Sequence, residues 1–354
     1  MTESPSALLD IPFDRWTAAL GLEGANLFRA RQVQTWVFEK RAASFSEMTD
    51  LPADLRTRWE SAFRLRTASF LRQDTSAEDG TARLFFKAAD GRDFSTVYLP
   101  ARKETEDRAS LCLSTQVGCA WGCVFCASGR VAYERNLTPS EILEQIFGAE
   151  KATGRRAQSL LFMGMGEPLA NLDNLRVALA AIRSPLGLNI GARHVTVSTS
   201  GLVPAIRKLA QEGPRVNLAI SLHAADDETR RKVLPKSSAW TIKDLLSAAW
   251  DYQKLAGGGG RVTFEYILLA GINDSIREAQ RLSNLLRGKK AWVNLIAYNP
   301  VAGLPYKRPD DETVRAFGKV LEDRGLFVRL RKPQGTDIEA GCGQLGRPRT
   351  LPAV

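Results

Sequence analysis

Short apolar runs alternate with longer stretches of helical periodicity from residue 108 to the end of the chain. The runs are rich in β-branched residues and predict six strands, SLCLSTQV, SLLFMGM, HVTVSTS, VNLAISLHA, VTFEYILLA and WVNLIAYNP. Strands that alternate with helices predict an α/β fold with a parallel sheet, either an open doubly wound sheet or a full or partial (β/α) barrel. In each of these folds, functional groups collect at the carboxyl ends of the strands.

One of the helices has a well-defined start. Thr138 is predicted to be its N-cap, Pro139 its first residue and Glu141 its third, which is the pattern of a capping box. Apolar residues then recur at helical spacing, so one side of this helix is predicted to face the sheet.

The part of the chain before residue 108 has a different pattern. The segments FRARQVQTWVFEK and LPADLRTRWESAF predict amphipathic helices, and RLFFKAADGRDFSTVYLP predicts a β-hairpin that turns at Asp90-Gly91. We therefore divide the chain into a helical accessory domain (1–75), a β-hairpin linker segment (76–107) and an α/β core (108–354). The Arg and Trp residues of the helical part suit an RNA-facing module, but a plain helical cap on the core is equally consistent with them.

Charge and hydropathy limit the possible partners. Lys and Arg number 49 against 39 Asp and Glu, a net charge of +10, which favours a polyanionic partner such as nucleic acid unless the charge serves solubility alone. No apolar run reaches the roughly 20 residues of a membrane span. The polar, acidic start MTESPSALLD has no signal-peptide pattern, so we expect a cytoplasmic protein whose thiols stay reduced.

The five cysteines lie in two places. Cys112, Cys119, Cys123 and Cys126 fall within 15 residues, whereas Cys342 stands alone between two glycines near the C-terminus. Such a distribution indicates chemistry rather than packing, because buried filler cysteines are scattered through a core.

The spacing C-x3-C-x2-C of Cys119, Cys123 and Cys126 leaves two kinds of metal site open. A structural zinc site needs a fourth ligand, and only His194 and His223 are available as histidine partners. A 4Fe–4S cluster held by three thiolates keeps one iron open for a ligand. The position of the motif, directly after the first strand of the array, resembles that of radical S-adenosylmethionine (SAM) enzymes, in which SAM occupies the open iron.

Polar residues follow several predicted strands. Glu167, in MGMGEP, is a carboxylate beside flexible backbone and suits a cation such as the ammonium group of SAM. Neutral hydrogen-bonding groups at the other strand ends suit a ribose, a carboxylate or an adenine edge; they are Ser198, Ser200, Ser221, His223 and Asn299. Each of them alone is equally consistent with a cap or turn.

The chain as a whole resembles the RlmN/Cfr family of radical SAM RNA methyltransferases, and its RlmN branch most closely. The resemblance extends from about residue 28 to residue 346 and rests on FRARQVQTWVF, MTDLP, LCLSTQVGCAWGCVFCASG, NLTPSEI, FMGMGEPLAN, VSTSG, LAISLHA, AYNPV and GTDIEAGCGQL. It implies a partial (β/α)6 radical SAM barrel with an N-terminal helical accessory domain and a connecting hairpin.

The resemblance also implies the cofactors and their ligands. A 4Fe–4S cluster would be held by Cys119, Cys123 and Cys126. SAM would be bound by the residues that match the family's SAM site, namely Gly166, Glu167, Ser198, Ser221, Leu222, His223 and Asn299.

The reaction implied is methylation of C-2 of an adenine in 23S rRNA, with tRNA as a second substrate. Cys342 would become S-methylcysteine and bond to the adenine through its methyl carbon, and Cys112 would deprotonate the ring and release the product by forming a disulfide with Cys342. A flavodoxin or ferredoxin would donate electrons, and the protein is expected to be a monomer. The GEP at 166–168 follows the RlmN form, which implies C-2 rather than the C-8 methylation of the Cfr branch.

One position departs from the family pattern. Ser95 stands where the family usually carries Glu, directly before TVYLP. Asp93 is the nearest carboxylate, and its offset of two residues places it on the same face of a strand. Because of this departure, it stays open whether the usual acid/base assistance is present. The alternative of C-8 methylation or of a different RNA target also stays open.

Overall fold

The computed structural model of the chain describes residues 5–22, 27–101, 109–256, 261–289 and 291–346. Its N-terminal part contains the predicted helices. In chain order, the elements are β1 (Ser6–Ala7), α1 (Trp16–Ala19), α2 (Leu27–Phe38), α3 (Ala53–Ala62) and β2 (Phe63–Arg64). β1 pairs in parallel with β2, which ties the start of this unit to its end.

The predicted hairpin is present and belongs to the main sheet. It consists of β4 (Ala82–Ala88) and β5 (Asp93–Leu99), and it is preceded by β3 (Ala68–Thr75). The three strands are antiparallel, and β5 continues antiparallel onto the first strand of the core. Residues 68–75 are thus a strand and not part of the helices, and the division at 75 and 107 stays a prediction.

The core alternates strands and helices as predicted. Its elements are β6 (Ser110–Cys112), β7 (Gln116–Val117), β8 (Arg135–Asn136), α4 (Pro139–Thr153), β9 (Ser159–Phe162), α5 (Leu172–Arg183), β10 (Val195–Thr199), α6 (Val203–Glu212), β11 (Asn217–Ser221), α7 (Asp227–Val233), α8 (Ile242–Ala256), β12 (Val262–Leu268), α9 (Ile276–Leu285), β13 (Trp292–Ala297), α10 (Asp311–Asp323) and β14 (Phe327–Arg331). Thr138 and Glu141 form the predicted capping box of α4.

All strands from β6 to β14 in the large sheet are parallel, and the described strands run in the order β14-β13-β12-β11-β10-β9-β6-β5-β4-β3. This open, mixed arrangement confirms the predicted α/β class. The prediction of six parallel strands was incomplete, because β14 adds a seventh. Its residues Phe327–Arg331 are mostly exposed, so the strand lacks the apolar run that marked the others.

Helix α4 attaches the N-terminal unit to the α/β core. The Glu144 carboxylate accepts hydrogen bonds from the backbone N–H groups of Thr67 and Ala68 at 2.8 and 2.7 Å. Arg41 pairs with Glu150 at 2.5 Å, and both side chains are largely shielded from solvent. Residues of the N-terminal unit and of the α/β core belong to one continuous apolar cluster. The position of the N-terminal helices relative to the core is therefore fixed by packing. Among the helices described, none is both long and apolar enough to cross a bilayer.

Candidate active site

A cavity of about 480 Å³ lies along the inner face of the parallel strands. It brings together every predicted site residue but Leu222; those lining it are Cys112, Cys119, Cys123, Cys126, Gly166, Glu167, Ser198, Ser221, His223, Asn299 and Cys342. Leu222 is fully buried, and its backbone N–H donates to the carbonyl of Glu265 at 3.0 Å. Its side chain packs in the core, so only its backbone lies near this site.

The three-cysteine loop, residues 118–130, has a tightly constrained backbone. Gly118 has φ +74°, and a Cβ at this position would lie 1.9 Å from the carbonyl oxygen of Ala132. The N–H of Cys119 donates to Val131, and that of Cys126 donates to Cys123, each at 3.1 Å. These contacts constrain the backbone of the loop, and all three of its cysteines line the cavity.

The electrostatics of these thiols suit a positively charged centre. Burial raises the pKa of Cys119 to about 11 and that of Cys123 well above its usual value, and the nearby sulfur of Cys126 and carboxylate of Glu167 add to both shifts. A bound cation would reverse these shifts, because it stabilises thiolates. The donor set of three adjacent thiols therefore fits an iron–sulfur centre. Across the described ranges, no group of three or more His, Cys, Asp or Glu is placed to hold a single metal ion.

Glu167 is anchored from three directions. Its carboxylate accepts from the N–H of Leu169 at 3.0 Å and from the N–H and hydroxyl of Ser200 at 2.7 and 2.8 Å. Its own N–H donates to the side-chain oxygen of Gln116 at 2.9 Å. Burial raises its pKa, while the Ser200 and Leu169 hydrogen bonds oppose that shift. These bonds fix the turn after β9, and of the two serines predicted as hydrogen-bonding groups at the end of β10, Ser200 binds Glu167.

Gly166 is required by this geometry. Its φ is +106°, and a Cβ would lie 2.7 Å from both Cβ and Cγ of Gln116. Gly166→Ala is expected to destabilise the fold by about 2–5 kcal/mol, from the left-handed backbone and the overpacking together. Thermal unfolding would measure this loss of stability. Gly191→Ala is the matched control, since Gly191 has negative φ and its nearest contact would be an ordinary 3.8 Å; equal losses in the two variants would refute the requirement.

His223 is a neutral structural residue at the end of β11. It has φ +55°, and its Nδ1 accepts a hydrogen bond from the N–H of Ile267 at 3.0 Å. The ring of Phe125, from the three-cysteine loop, meets it edge-on with centroids 5.0 Å apart. Burial lowers its pKa to about 3, with the charge of Arg230 acting in the same direction. His223 therefore connects β11, β12 and the loop as a neutral imidazole.

Cys112 and Cys342 both line the cavity, and they lie near enough for their charges to interact. Burial raises the pKa of Cys112 to about 12, and the Cys342 sulfur contributes to that shift. Burial likewise raises the pKa of the Cys342 thiol, although the residue as a whole is exposed to solvent. Both are free thiols, as are the three loop cysteines, and the described residues contain no disulfide.

The Cys342 loop, residues 335–346, is fastened to the core at several points. Asn299 donates from Nδ2 to the Cys342 carbonyl at 3.1 Å. The N–H of Ala127 donates to the Gly343 carbonyl at 2.7 Å, and the Ser128 hydroxyl donates to the Leu345 carbonyl. The loop that carries Cys342 is thus joined directly to the three-cysteine loop.

A buried arginine that the sequence analysis missed also holds this loop. Arg83, on β4, donates to the carbonyls of Gly346 at 2.7 Å and Glu339 at 3.3 Å, and its Nε lies 3.4 Å from the Ser95 hydroxyl. Burial lowers its pKa to about 10. Ser95 is itself buried, and neither it nor Asp93 lines the cavity. The carboxylate of Asp93 therefore does not replace the family's usual Glu at this site.

Arg83→Ala is expected to release the Cys342 loop. Each charge-assisted hydrogen bond contributes about 1.5–3 kcal/mol, so iodoacetamide should alkylate Cys342 roughly 10- to 100-fold faster. Peptide mass spectrometry would follow the reaction. Arg83→Lys should give an intermediate rate, since Lys lacks the guanidinium fork. Arg72→Ala, on the neighbouring strand, is the control; if it matches Arg83→Ala, Arg83 does not hold the loop.

Glu265 is a second group that the sequence analysis missed. It lies on β12 inside the cavity, and its carboxylate accepts a hydrogen bond from Nδ2 of Asn294 at 2.8 Å. Burial raises its pKa to about 6, against the lowering effects of Asn294 and Arg331. The sequence signal for Glu265 is a charged residue within the apolar run VTFEYILLA. Arg83, at the start of RLFFKA, carries the same kind of signal.

Comparisons of the sequence and the structure with known proteins support the assignment of this cavity as an active site. The profile of the radical SAM superfamily matches residues 113–282, and that of the ribosomal RNA large subunit methyltransferase N-terminal domain matches residues 7–65. The crystal structure of a radical SAM methyltransferase from Sphaerobacter thermophilus is similar over 96% of this chain and 99% of its own, with 38% identity and a TM-score of 0.88. The fold and the three-cysteine loop define this chain as a radical SAM enzyme.

Relatives with assigned names narrow the class. A probable dual-specificity RNA methyltransferase RlmN from Rhodopirellula baltica is 45% identical over 97% of this chain and 91% of its own length. The dual-specificity RNA methyltransferase RlmN of Anaeromyxobacter sp. is 44% identical over 96% of this chain and 90% of its own. The chain belongs to the RlmN family of dual-specificity RNA methyltransferases.

Proposed function

We propose that this protein methylates C-2 of a specific adenine in 23S rRNA and in tRNA through an S-methylcysteine intermediate at Cys342. The observation that carries the proposal is the arrangement of five thiols along one cavity: three in the loop after β7, and Cys112 and Cys342 near enough for their charges to interact. Family membership supports RNA as the substrate, and the names of the relatives favour the RlmN reaction over the C-8 alternative.

The residues present fit the two cofactors of this chemistry. Cys119, Cys123 and Cys126 would hold a 4Fe–4S cluster, and SAM would lie against Gly166, Glu167, Ser198, Ser221, the Leu222 backbone, His223 and Asn299. When bound, the cluster and SAM supply a 5′-deoxyadenosyl radical. Glu167 is held by hydrogen bonds, and His223 is neutral, so both residues shape the pocket and neither places a positive charge in it.

Cys342 and Cys112 would divide the methyl transfer between them. The Cys342 thiol loses its proton and accepts a methyl group, which, after loss of one hydrogen atom, bonds to C-2 of adenine. Cys112 would take the proton from that carbon, and the unpaired electron that the addition leaves on the ring would return to the oxidised iron–sulfur centre. The Cys112 sulfur then bonds to the Cys342 sulfur as the bond from Cys342 to the methylene carbon breaks, and the electron pair of that bond takes up a proton. The thiol pair leaves this step oxidised, so an external thiol must reduce it before the next turnover.

The remaining partners follow from the family and the charge of the chain. The helical unit, which includes the exposed Phe28 on α2 beside Arg29, would contact the folded RNA. An acidic flavodoxin or ferredoxin would supply electrons to a chain of net charge +10. We expect the protein to act as a monomer in the cytoplasm.

The test is the identity of the methylated base. RNA from cells with and without the gene would be digested, and the nucleosides of 23S rRNA and tRNA separated by liquid chromatography and mass spectrometry. Loss of 2-methyladenosine from both RNAs, restored by the unaltered gene and not by one encoding Cys342→Ser, is the expected result. Loss of 8-methyladenosine, or unchanged 2-methyladenosine, would overturn the proposal.

A further inference from the structure

Two exposed aromatic rings stack at the amino ends of adjacent strands. Trp292 begins β13 and Phe327 begins β14; they are cross-strand neighbours whose ring centroids lie 4.9 Å apart with 15° between the planes. Their side chains are 37% and 56% exposed, which is unusual for residues of this size. The guanidinium of Arg261 lies 4.7 Å from the Trp292 ring centroid.

The surroundings of this pair are basic. Arg193 precedes β10, and Arg329 follows Phe327 by two residues on the same face of β14; both are exposed. In the part of the chain that the structure describes, no ion pair joins Arg193, Arg261 or Arg329 to a carboxylate. The carboxylates that line the cavity with these arginines are Glu167 and Glu265, and Glu265 is engaged with Asn294, two residues along β13 from Trp292.

This surface is continuous with the active site. Trp292, Arg261, Arg193 and Arg329 line the same cavity as Cys112 and Cys342. Strand β13 runs from Trp292 toward Asn299, a length of roughly 20 Å at 3.3 Å per residue. A few nucleotides of single-stranded RNA span that length, so a base a few nucleotides from the target adenine can reach the aromatic pair.

We propose that Trp292, Phe327 and Arg261 form a stacking platform for an unpaired RNA base that flanks the target adenine, with Arg193 and Arg329 binding its phosphates. Aromatic rings and guanidinium planes are the groups on which proteins stack unpaired bases. Arg193 donates from Nε to Nε2 of His194 at 3.2 Å, and no carboxylate among the described residues neutralises its charge, so the basic surroundings select a polyanion rather than a second protein surface. The inference rests on the proposed function, because it takes RNA as the occupant.

The experiment measures the affinity of the full-length protein for a 23S rRNA transcript by filter binding. The double variant Trp292→Ala, Phe327→Ala should bind roughly 5- to 100-fold more weakly, as expected for the loss of one stacked base. Trp292→Phe with Phe327→Tyr, which keeps both rings, should bind like the parent. Arg329→Ala should reduce the slope of log affinity against log salt concentration by the amount expected for about one phosphate contact.

Matched controls lie on the outer helices. Leu255→Ala removes an exposed apolar side chain of α8, and Arg207→Ala removes an exposed arginine of α6; neither should change binding. If the parent binds RNA and the aromatic double variant binds equally well, the platform is wrong while the proposed function stands. A change in oligomeric state without a change in RNA affinity would assign the surface to self-association and also overturn it. A parent that binds no RNA overturns both.

Discussion

Cys112→Ala is expected to stop turnover and to leave RNA covalently attached to the protein through Cys342. In the proposed reaction, Cys112 supplies both the base that removes the C-2 proton and the sulfur that releases Cys342, so its loss would block the reaction after the bond to RNA has formed. Loss of a general base alone costs about 10²–10⁴-fold in rate. Gel electrophoresis under denaturing conditions would show the adduct, and nuclease digestion followed by peptide mass spectrometry would locate it.

Two variants test whether that adduct has the proposed cause. Ser110→Ala lies on the same strand two residues earlier and lines the same cavity without a titratable group; it should turn over normally and form no adduct. Cys112→Ala combined with Cys342→Ala should form none either, because the attachment point is gone. Purified Cys112→Ala protein free of RNA, isolated from cells that contain the substrate, would contradict the role of Cys112.

Cys119→Ser is expected to remove the metal centre and all activity. With three thiolates and one open iron, the cluster has no spare ligand, so the loss of one thiol should leave little bound iron. Protein purified without oxygen should contain about four irons and four sulfides per chain before the substitution, and far less after it. Cys123→Ser and Cys126→Ser should behave in the same way.

The other two cysteines provide the control for this experiment. Cys112→Ala and Cys342→Ala should keep the full iron and sulfide content, since these thiols are proposed to handle the methyl group and not the metal. A colourless parent protein that contains zinc would overturn the iron–sulfur assignment. Equal iron loss in all five variants would refute the division of the cysteines into three ligands and one pair.

Local patterns predicted much of this molecule. The capping box at Thr138 and the tight turn at Asp90-Gly91 were readable because each depends on residues a few positions apart. The six apolar strands were readable because their buried faces require uninterrupted apolar runs. Strand β14 was missed because an edge strand with exposed side chains carries no such run.

Contacts between distant parts of the chain were not predictable in this way. Arg83 and the Glu339 carbonyl are separated by 256 positions, and nothing near either residue indicates that they meet. Ser95 shows the same limit. The sequence showed that Ser95 stands at the position of the family's usual Glu, but it did not show that the residue is buried beside Arg83. The positive φ of His223 was also hidden, because a non-glycine residue adopts it only when tertiary contacts hold it there.

The most direct test of the central claim follows the methyl group itself. Protein produced in cells fed methionine with a deuterated methyl group would carry a labelled methyl on Cys342, and one turnover would be started with unlabelled SAM and RNA. The account predicts that the first equivalent of 2-methyladenosine contains deuterium, because the carbon comes from Cys342. A first product without deuterium, formed while Cys342 keeps its label, would show that the methyl group does not pass through this cysteine.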